Sequence, residues 1–173
     1  MISEELKRSI KSYKDFPKKG IVFRDFLPVL EKPYLFKELI KKMASNILWN
    51  KVDAIIAIDA RGFLIGSALS QVLNKPLIVA RKPGKLPGSI IAKTYELEYG
   101  TNNLSIQREA LEKYQTFGVV DDLLATGGTV NCIQEILNSL QKEIKILSVV
   151  IELESLKGRQ IFNFPVESQI SYF

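Results

Sequence analysis

Val119-Val120-Asp121-Asp122-Leu123-Leu124-Ala125-Thr126-Gly127-Gly128-Thr129 joins an apolar run, two adjacent acids and a loop of small residues. Thr116 to Asp121 is β-branched and apolar enough for a buried strand, and Val130, Ile133, Ile136, Leu137 and Leu140 follow at helical spacing. The stretch reads as strand, loop and helix. Ala125, Thr126, Gly127, Gly128 and Thr129 carry little bulk, so backbone N–H groups can approach an anion closely. The first turn of the helix adds unpaired donors and a positive dipole end. A phosphate fits such a loop. Asp121 and Asp122 can each accept two hydrogen bonds, which suits the neighbouring 2- and 3-hydroxyls of a ribose. On a regular strand they diverge to opposite faces, so serving one ligand requires the strand to end near them. The plain alternative is an acidic pair closing a strand, then a glycine turn with Thr129 as helix cap. The order of acids, small loop and helix start favours the binding loop. Neither Gly-x-x-x-x-Gly-Lys-Ser/Thr nor Gly-x-Gly-x-x-Gly occurs, which sets aside the two common nucleotide loops.

Outward from this stretch, Val52 to Ile58 reads as a strand, Asp59 to Gly62 as a turn, Phe63 to Leu73 as a helix and Pro76 to Ala80 as another strand. Strands alternating with helices imply an α/β fold with a mostly parallel central sheet flanked by helices, and ligands at the carboxyl ends of its strands. The turn at Arg61 and the loop at Thr126 both follow strands and precede helices, so they open on one edge and make one site. Nearer the start, the pattern predicts an amphipathic helix over about 3–13, a loop at the Phe-Pro-x-x-Gly stretch and a second helix over 33–48.

A length of 173 residues with 46% hydrophobic content suits one domain, 1–173, with a sizeable core. No stretch approaches the ~18 uninterrupted apolar residues of a membrane span. The start Met1-Ile2-Ser3-Glu4-Glu5-Leu6 lacks a basic region followed by an apolar run, so a cytoplasmic protein with no membrane partner is expected. The chain has no histidine and a single cysteine, Cys132, which excludes an internal disulfide, His-based triads and Cys/His zinc sites. Cys132 falls in the helix after the loop and reads as a small buried thiol. The net charge of +5 is spread without a long basic block, so a polyanionic small substrate explains it without nucleic acid.

The Val119–Thr129 run resembles the 5-phosphoribosyl-1-pyrophosphate (PRPP) motif of type I phosphoribosyltransferases, and Leu-Leu-Ala-Thr-Gly-Gly-Thr is similar to its form in the adenine-using members. Four other segments agree, in the family's order and over nearly the whole chain. They are Phe16-Pro17-Lys18-Lys19-Gly20-Ile21-Val22-Phe23-Arg24-Asp25, Ala60-Arg61-Gly62-Phe63-Leu64, Arg81-Lys82-Pro83-Gly84-Lys85-Leu86-Pro87 and Tyr95-Glu96-Leu97-Glu98-Tyr99-Gly100. The resemblance implies the type I phosphoribosyltransferase fold, with a hood over about 1–32 and a flexible lid over about 81–100. It implies purine salvage, in which the phosphoribosyl group of PRPP passes to adenine, giving AMP and pyrophosphate.

By the same resemblance Asp121, Asp122, Ala125, Thr126, Gly127, Gly128 and Thr129 bind PRPP and AMP. Ala60, Arg61, Arg81, Lys82 and Lys85 take the pyrophosphate, and Val22, Phe23 and Arg24 take adenine, the first and last through backbone groups. Arg61, Glu98 and Tyr99 serve the reacting centre. Glu98 is the first candidate for the purine proton, with Glu96 two residues away. Magnesium is the implied cofactor, held mainly by substrate oxygens and water, with no dedicated protein cage. The implied assembly is a homodimer. Ala125 stands where many hypoxanthine-guanine relatives have an aspartate, which argues against 6-oxopurines and leaves a xanthine-using relative open. A non-catalytic PRPP-binding regulator is the alternative of another class; the intact lid pattern and the lack of room for a DNA-binding domain weigh against it. Three positions depart from the family pattern: Asp59 for a common glutamate, Lys19 for a frequent proline, and Gly118 within a strand that is usually more apolar.

Overall fold

The computed structural model describes residues 2–97 and 100–173. The chain opens with helix α1 (Ile2–Ser9), an antiparallel pair β1 (Lys11–Lys14) and β2 (Val22–Asp25), the short helix α2 (Leu27–Leu30) and helix α3 (Pro33–Ala44). Strand β3 (Ala54–Ile58), helix α4 (Gly62–Leu73) and strand β4 (Leu77–Ala80) follow. A second antiparallel pair, β5 (Ile90–Leu97) and β6 (Gly100–Gln107), leads through helix α5 (Arg108–Glu112) to strand β7 (Thr116–Leu124). Helix α6 (Gly128–Ser139) and strands β8 (Glu143–Leu153) and β9 (Val166–Tyr172) complete it.

The central sheet has the order β4-β3-β7-β8-β9, and its strand pairs are all parallel. From β3 the chain crosses by α4 to one side, and from β7 it crosses by α6 to the other. The direction of winding therefore reverses between β3 and β7, and in open α/β sheets a ligand crevice forms at that reversal, outside the carboxyl ends.

Buried on both faces, β3 reads as an unbroken apolar run, Ala-Ile-Ile-Ala-Ile. Alternate residues feed two cores. Ile56 and Ile58 pack with Phe117, Val119 and α6 side chains such as Ile133 and Leu137, while Ile55 packs with Val120, Leu39, Ile65 and Trp49 on the opposite face. Each fully buried aliphatic side chain contributes roughly 2 kcal/mol. The N-terminal hood is rooted in the second core through Leu6, Ile10, Phe26 and Val29.

Gly118 owes its place in β7 to Trp49. A Cβ there would lie 2.2 Å from Trp49 Cζ3, and the indole Nε1 donates to the Met43 carbonyl at 2.8 Å. The glycine lets a large ring lie flat on the strand, and the β7–β8 register shifts at Phe117/Gly118.

Several boundaries differ from expectation. The first helix ends at Ser9 instead of about Tyr13, because Lys11–Lys14 pairs with β2 across a turn in which Asp15 and Gly20 have positive φ. The second ends at Ala44; Asn46 then caps a separate 3-10 turn, Ile47–Lys51, accepting from Leu48 N at 3.0 Å. Strand β7 runs through both acids to Leu124, sustained by pairing of Leu123 with Ile151 and Leu124 with Glu152. The strand does not end at the acids as their shared role seemed to require.

The segment expected as a lid is anchored at its base. Arg81 forms a bridge to Ser105, and Leu104 and Ile106 are buried in the first core. The Cys132 thiol of α6 donates to the Lys93 carbonyl of β5 at 3.4 Å. Among the described residues no helix is long and apolar enough to cross a membrane.

Candidate active site

A cavity of about 330 Å³ sits at the carboxyl ends of β3 and β7, where the winding reverses. Its walls include Asp59 to Arg61 from the turn after β3, Lys82, and the continuous stretch Asp121 to Val130. The two special loops read from the sequence thus face one another. Both acids reach this cavity although β7 continues past them, because it extends over the end of the strand and the loop beyond.

Asp122 is 4% exposed and its Oδ2 lies 2.9 Å from Arg61 Nε. That approach is an ion pair without hydrogen-bond alignment, so Oδ2 is a buried acceptor with no hydrogen-bond partner among the described residues. Asp121 Oδ1 accepts from the Asp122 backbone N–H at 2.9 Å. Burial pushes the Asp121 carboxyl well above the ordinary carboxylate range, and the adjacent Asp122 charge pushes it further. Burial also raises Asp122, against the opposing pull of the Arg61 guanidinium. The cavity wall holds a crowded acidic pair, one member ion-paired with Arg61.

Gly62 lets the Arg61 turn come this close. A Cβ there would stand 2.9 Å from the Val120 carbonyl oxygen and 3.0 Å from Asp121 Oδ1. On the opposite wall, Gly127 caps α6 with φ +86°, a conformation that suits a residue with no Cβ. A glycine cap brings no side-chain acceptor to the start of α6, which lies on the cavity wall. Ala125, Thr126, Gly127, Gly128 and Thr129 all line this wall.

The cationic residues divide. Ala60, Arg61 and Lys82 line the cavity. Arg81 is instead held by Asp59, its Nε donating to Oδ2 at 3.0 Å, with its guanidinium 5.7 Å from the Phe63 ring centre. Asp59, the departure from a common glutamate, therefore engages Arg81. The Lys85 carbonyl accepts from Arg81 Nη1 at 3.5 Å, and Lys85 does not line the cavity.

A second, more apolar cavity of about 730 Å³ opens beneath the hood, with Tyr13, Phe16, Phe23, Asp25, Leu27 and Arg61 among its walls. Phe16 and Phe23 meet edge to face at 5.2 Å, and Arg61 lies over the Phe23 ring at 5.0 Å. Arg61 borders both cavities and joins them. Of the hood residues singled out, Phe23 faces this space. The Arg24 side chain turns elsewhere, to Ser12 Oγ and over the Tyr172 ring at 4.0 Å, and Val22 is 41% exposed. Val22 and Arg24 share strand parity, so their backbone groups point to one common edge.

Sequence reasoning missed Phe16, Asp25 and the Asp59–Arg81 pair. It also missed Gly158, Ile161 and Phe162, which pack against the small-residue loop. Glu98 and Tyr99 lie outside the described residues. Cys132 is buried, and burial pushes its thiol up to about 11, as befits a core residue.

Residues 31–161 match the family model for the phosphoribosyl transferase domain. A Prochlorococcus marinus protein named adenine phosphoribosyltransferase is 54% identical over 171 residues, covering 99% of each chain. The solved adenine phosphoribosyltransferase of Thermoanaerobacter pseudethanolicus is 40% identical, with a TM-score of 0.92 over 98% of this chain and 99% of that one. The enzyme of Saccharomyces cerevisiae, solved with adenine and an imino-altritol bisphosphate, is 35% identical, with a TM-score of 0.87 over 98% of both chains. With its reversal-point cavity, acidic pair on β7 and glycine-capped helix, this chain belongs to the phosphoribosyltransferase family, among the adenine phosphoribosyltransferases.

Proposed function

We propose that this chain transfers the phosphoribosyl group of PRPP to N9 of adenine, forming AMP and releasing pyrophosphate. The observation that carries the reading is the adjacent Asp121 and Asp122 carboxylates, the second ion-paired with Arg61, on the wall of a cavity that the Ala125–Thr129 loop and the start of α6 also line. Asp121 and Asp122 accept from the ribose hydroxyls, and the Ala125–Thr129 loop takes the 5-phosphate. Arg61, Ala60 and Lys82 take the pyrophosphate, joined by Arg81 once it exchanges Asp59 for the substrate, and by Lys85 if the 82–89 segment moves inward. Adenine packs on Phe23 in the hood cavity, its edge read by the backbone of Val22 and Arg24.

Breaking the bond between ribose C1 and pyrophosphate leaves positive charge on the sugar and negative charge on the leaving group. Arg61 borders both cavities and is placed to steady the departing anion. Adenine N9 supplies the electron pair for the new bond and loses its proton. On the resemblance, Glu98 receives it with Tyr99 nearby, and Glu96 is the alternative.

The site suits magnesium carried on the substrate. Its donors are the two adjacent carboxylates on the cavity wall. Asp121 and Asp122 would hold the ion through its waters, and when bound it neutralises charge on the pyrophosphate. Small molecules are the partners, in a cytoplasmic homodimer; the exposed Leu64 and Val72 of α4 offer apolar surface for a second copy.

The test is an assay of the purified protein with PRPP, magnesium and, in parallel, adenine, hypoxanthine, guanine and xanthine. AMP from adenine alone is expected. Turnover of an oxopurine would overturn the argument from Ala125, and PRPP binding without turnover would favour a regulator.

A further inference from the structure

The excursion between β8 and β9 makes two short 3-10 turns, Glu154–Leu156 and Gly158–Ile161. The second lies against the Ala125–Gly127 loop from outside the cavity. A Cβ built on Gly158 would stand 2.1 Å from the Ala125 carbonyl oxygen and 3.0 Å from the Thr126 carbonyl carbon. A Cβ on Gly127 would meet the Gly158 carbonyl oxygen at 3.1 Å and Ile161 Cδ1 at 2.8 Å. Backbone rests on backbone here, so the position of Gly158 sets the position of the loop.

The neighbouring residue holds Gly158 in place. Arg159 Nε donates to Glu152 Oε1 at 2.9 Å while Nη2 donates to Glu152 Oε2 and Nη1 to the Val166 carbonyl. Ser168 Oγ donates to Glu152 Oε2 at 2.7 Å and accepts from Arg159 Nη2 at 3.2 Å. Such a two-pronged pair fixes orientation as well as distance. Its carboxylate is 5% exposed, and Glu152 pairs across the sheet with Leu124, the residue before Ala125. The clamp thus grips the loop at its root and braces it from behind.

We propose that Arg159 is a positioning residue for phosphoribosyl transfer, acting through Gly158 to fix the backbone amides that meet the 5-phosphate of PRPP. The proposal rests on the function inferred above. It assigns a specific effect to residues that touch neither substrate nor cavity, because amide donors must be held within about 0.5 Å to be useful.

Arg159→Ala and Arg159→Lys are compared with wild type by steady-state kinetics, together with inhibition by ribose 5-phosphate and by pyrophosphate. In Arg159→Ala, KM for PRPP and Ki for ribose 5-phosphate rise about tenfold, while kcat, KM for adenine and Ki for pyrophosphate stay within about twofold. Arg159→Lys falls between, since it keeps the charge without the fork. If Arg159→Ala does not fold, Arg159→Lys decides, since it keeps the charge, loses the fork and gives a smaller rise confined to the same two constants. Unchanged KM for PRPP, or a parallel change in every constant, overturns the proposal. A wild type that makes no AMP would fail the functional reading instead. Calorimetry of ribose 5-phosphate on wild type and variants would then still judge the brace, with equal affinities counting against it.

Discussion

Asp121 concentrates a conflict between stability and binding in one carboxyl group. In the unfolded chain it titrates near the ordinary value of about 4. In the fold, burial and the neighbouring Asp122 keep its proton on to higher pH. The folded state therefore binds more protons across that window, and stability falls as pH rises from the ordinary carboxylate value through the raised one. Asp121→Asn removes this penalty, so the variant should melt higher at pH 7, by about 2–4 °C for each kcal/mol regained. A melting temperature at or below wild type would refute the account. The same variant keeps the acceptor for the Asp122 N–H and loses the charge offered to ribose. Its affinity for PRPP should fall about tenfold, the scale of one charge-assisted hydrogen bond. In the wild type, acid should weaken PRPP binding as the pair takes up a proton, which calorimetry across pH would reveal. Arg61→Lys should lower kcat/KM about 100-fold while leaving the circular dichroism spectrum unchanged, because an ammonium cannot span Asp122, Phe23 and the pyrophosphate as a guanidinium does.

At the scale of elements, the strands near the site were legible because they are short apolar runs bounded by turn residues, and 52–58, 76–80 and 116–121 each mark a true strand. Strand β1 was not legible: Lys11–Lys14 is exposed throughout and owes its conformation to pairing with β2, so its sequence continued the helical pattern before it. The placing of the small-residue loop, both acids and Arg61 on one cavity could be read from local sequence, whereas that of Lys82 came with the family resemblance. Phe16, the Asp59–Arg81 pair and the Gly158 contact could not, since each joins residues that only the tertiary fold brings together. Gly118, a departure within an otherwise apolar strand, is a seat for Trp49. Gly118→Ala should therefore destabilise by about 1–3 kcal/mol through overpacking, seen as a lower melting temperature. Adding Trp49→Phe, which trims the ring that the new methyl meets, should recover part of the loss. An additive double variant would argue against the contact.

Across the whole molecule, the hood, the sheet and the β5–β6 hairpin converge on two cavities joined at Arg61. If the proposed homodimer forms, sedimentation equilibrium should return twice the chain mass of 19.6 kDa. The contact between Cys132 and the Lys93 carbonyl adds a property unrelated to catalysis. This sulfur is the only thiol in the chain, it is 1% exposed, and at about 11 its pKa leaves little thiolate near neutrality. An alkylating reagent should reach it when β5 lifts from α6, so labelling can serve as a clock for that opening, with a single mass increment. PRPP should slow the clock if the hairpin closes over substrate. A rate that follows global unfolding instead would show that the base of the hairpin is as permanent as the core beneath it.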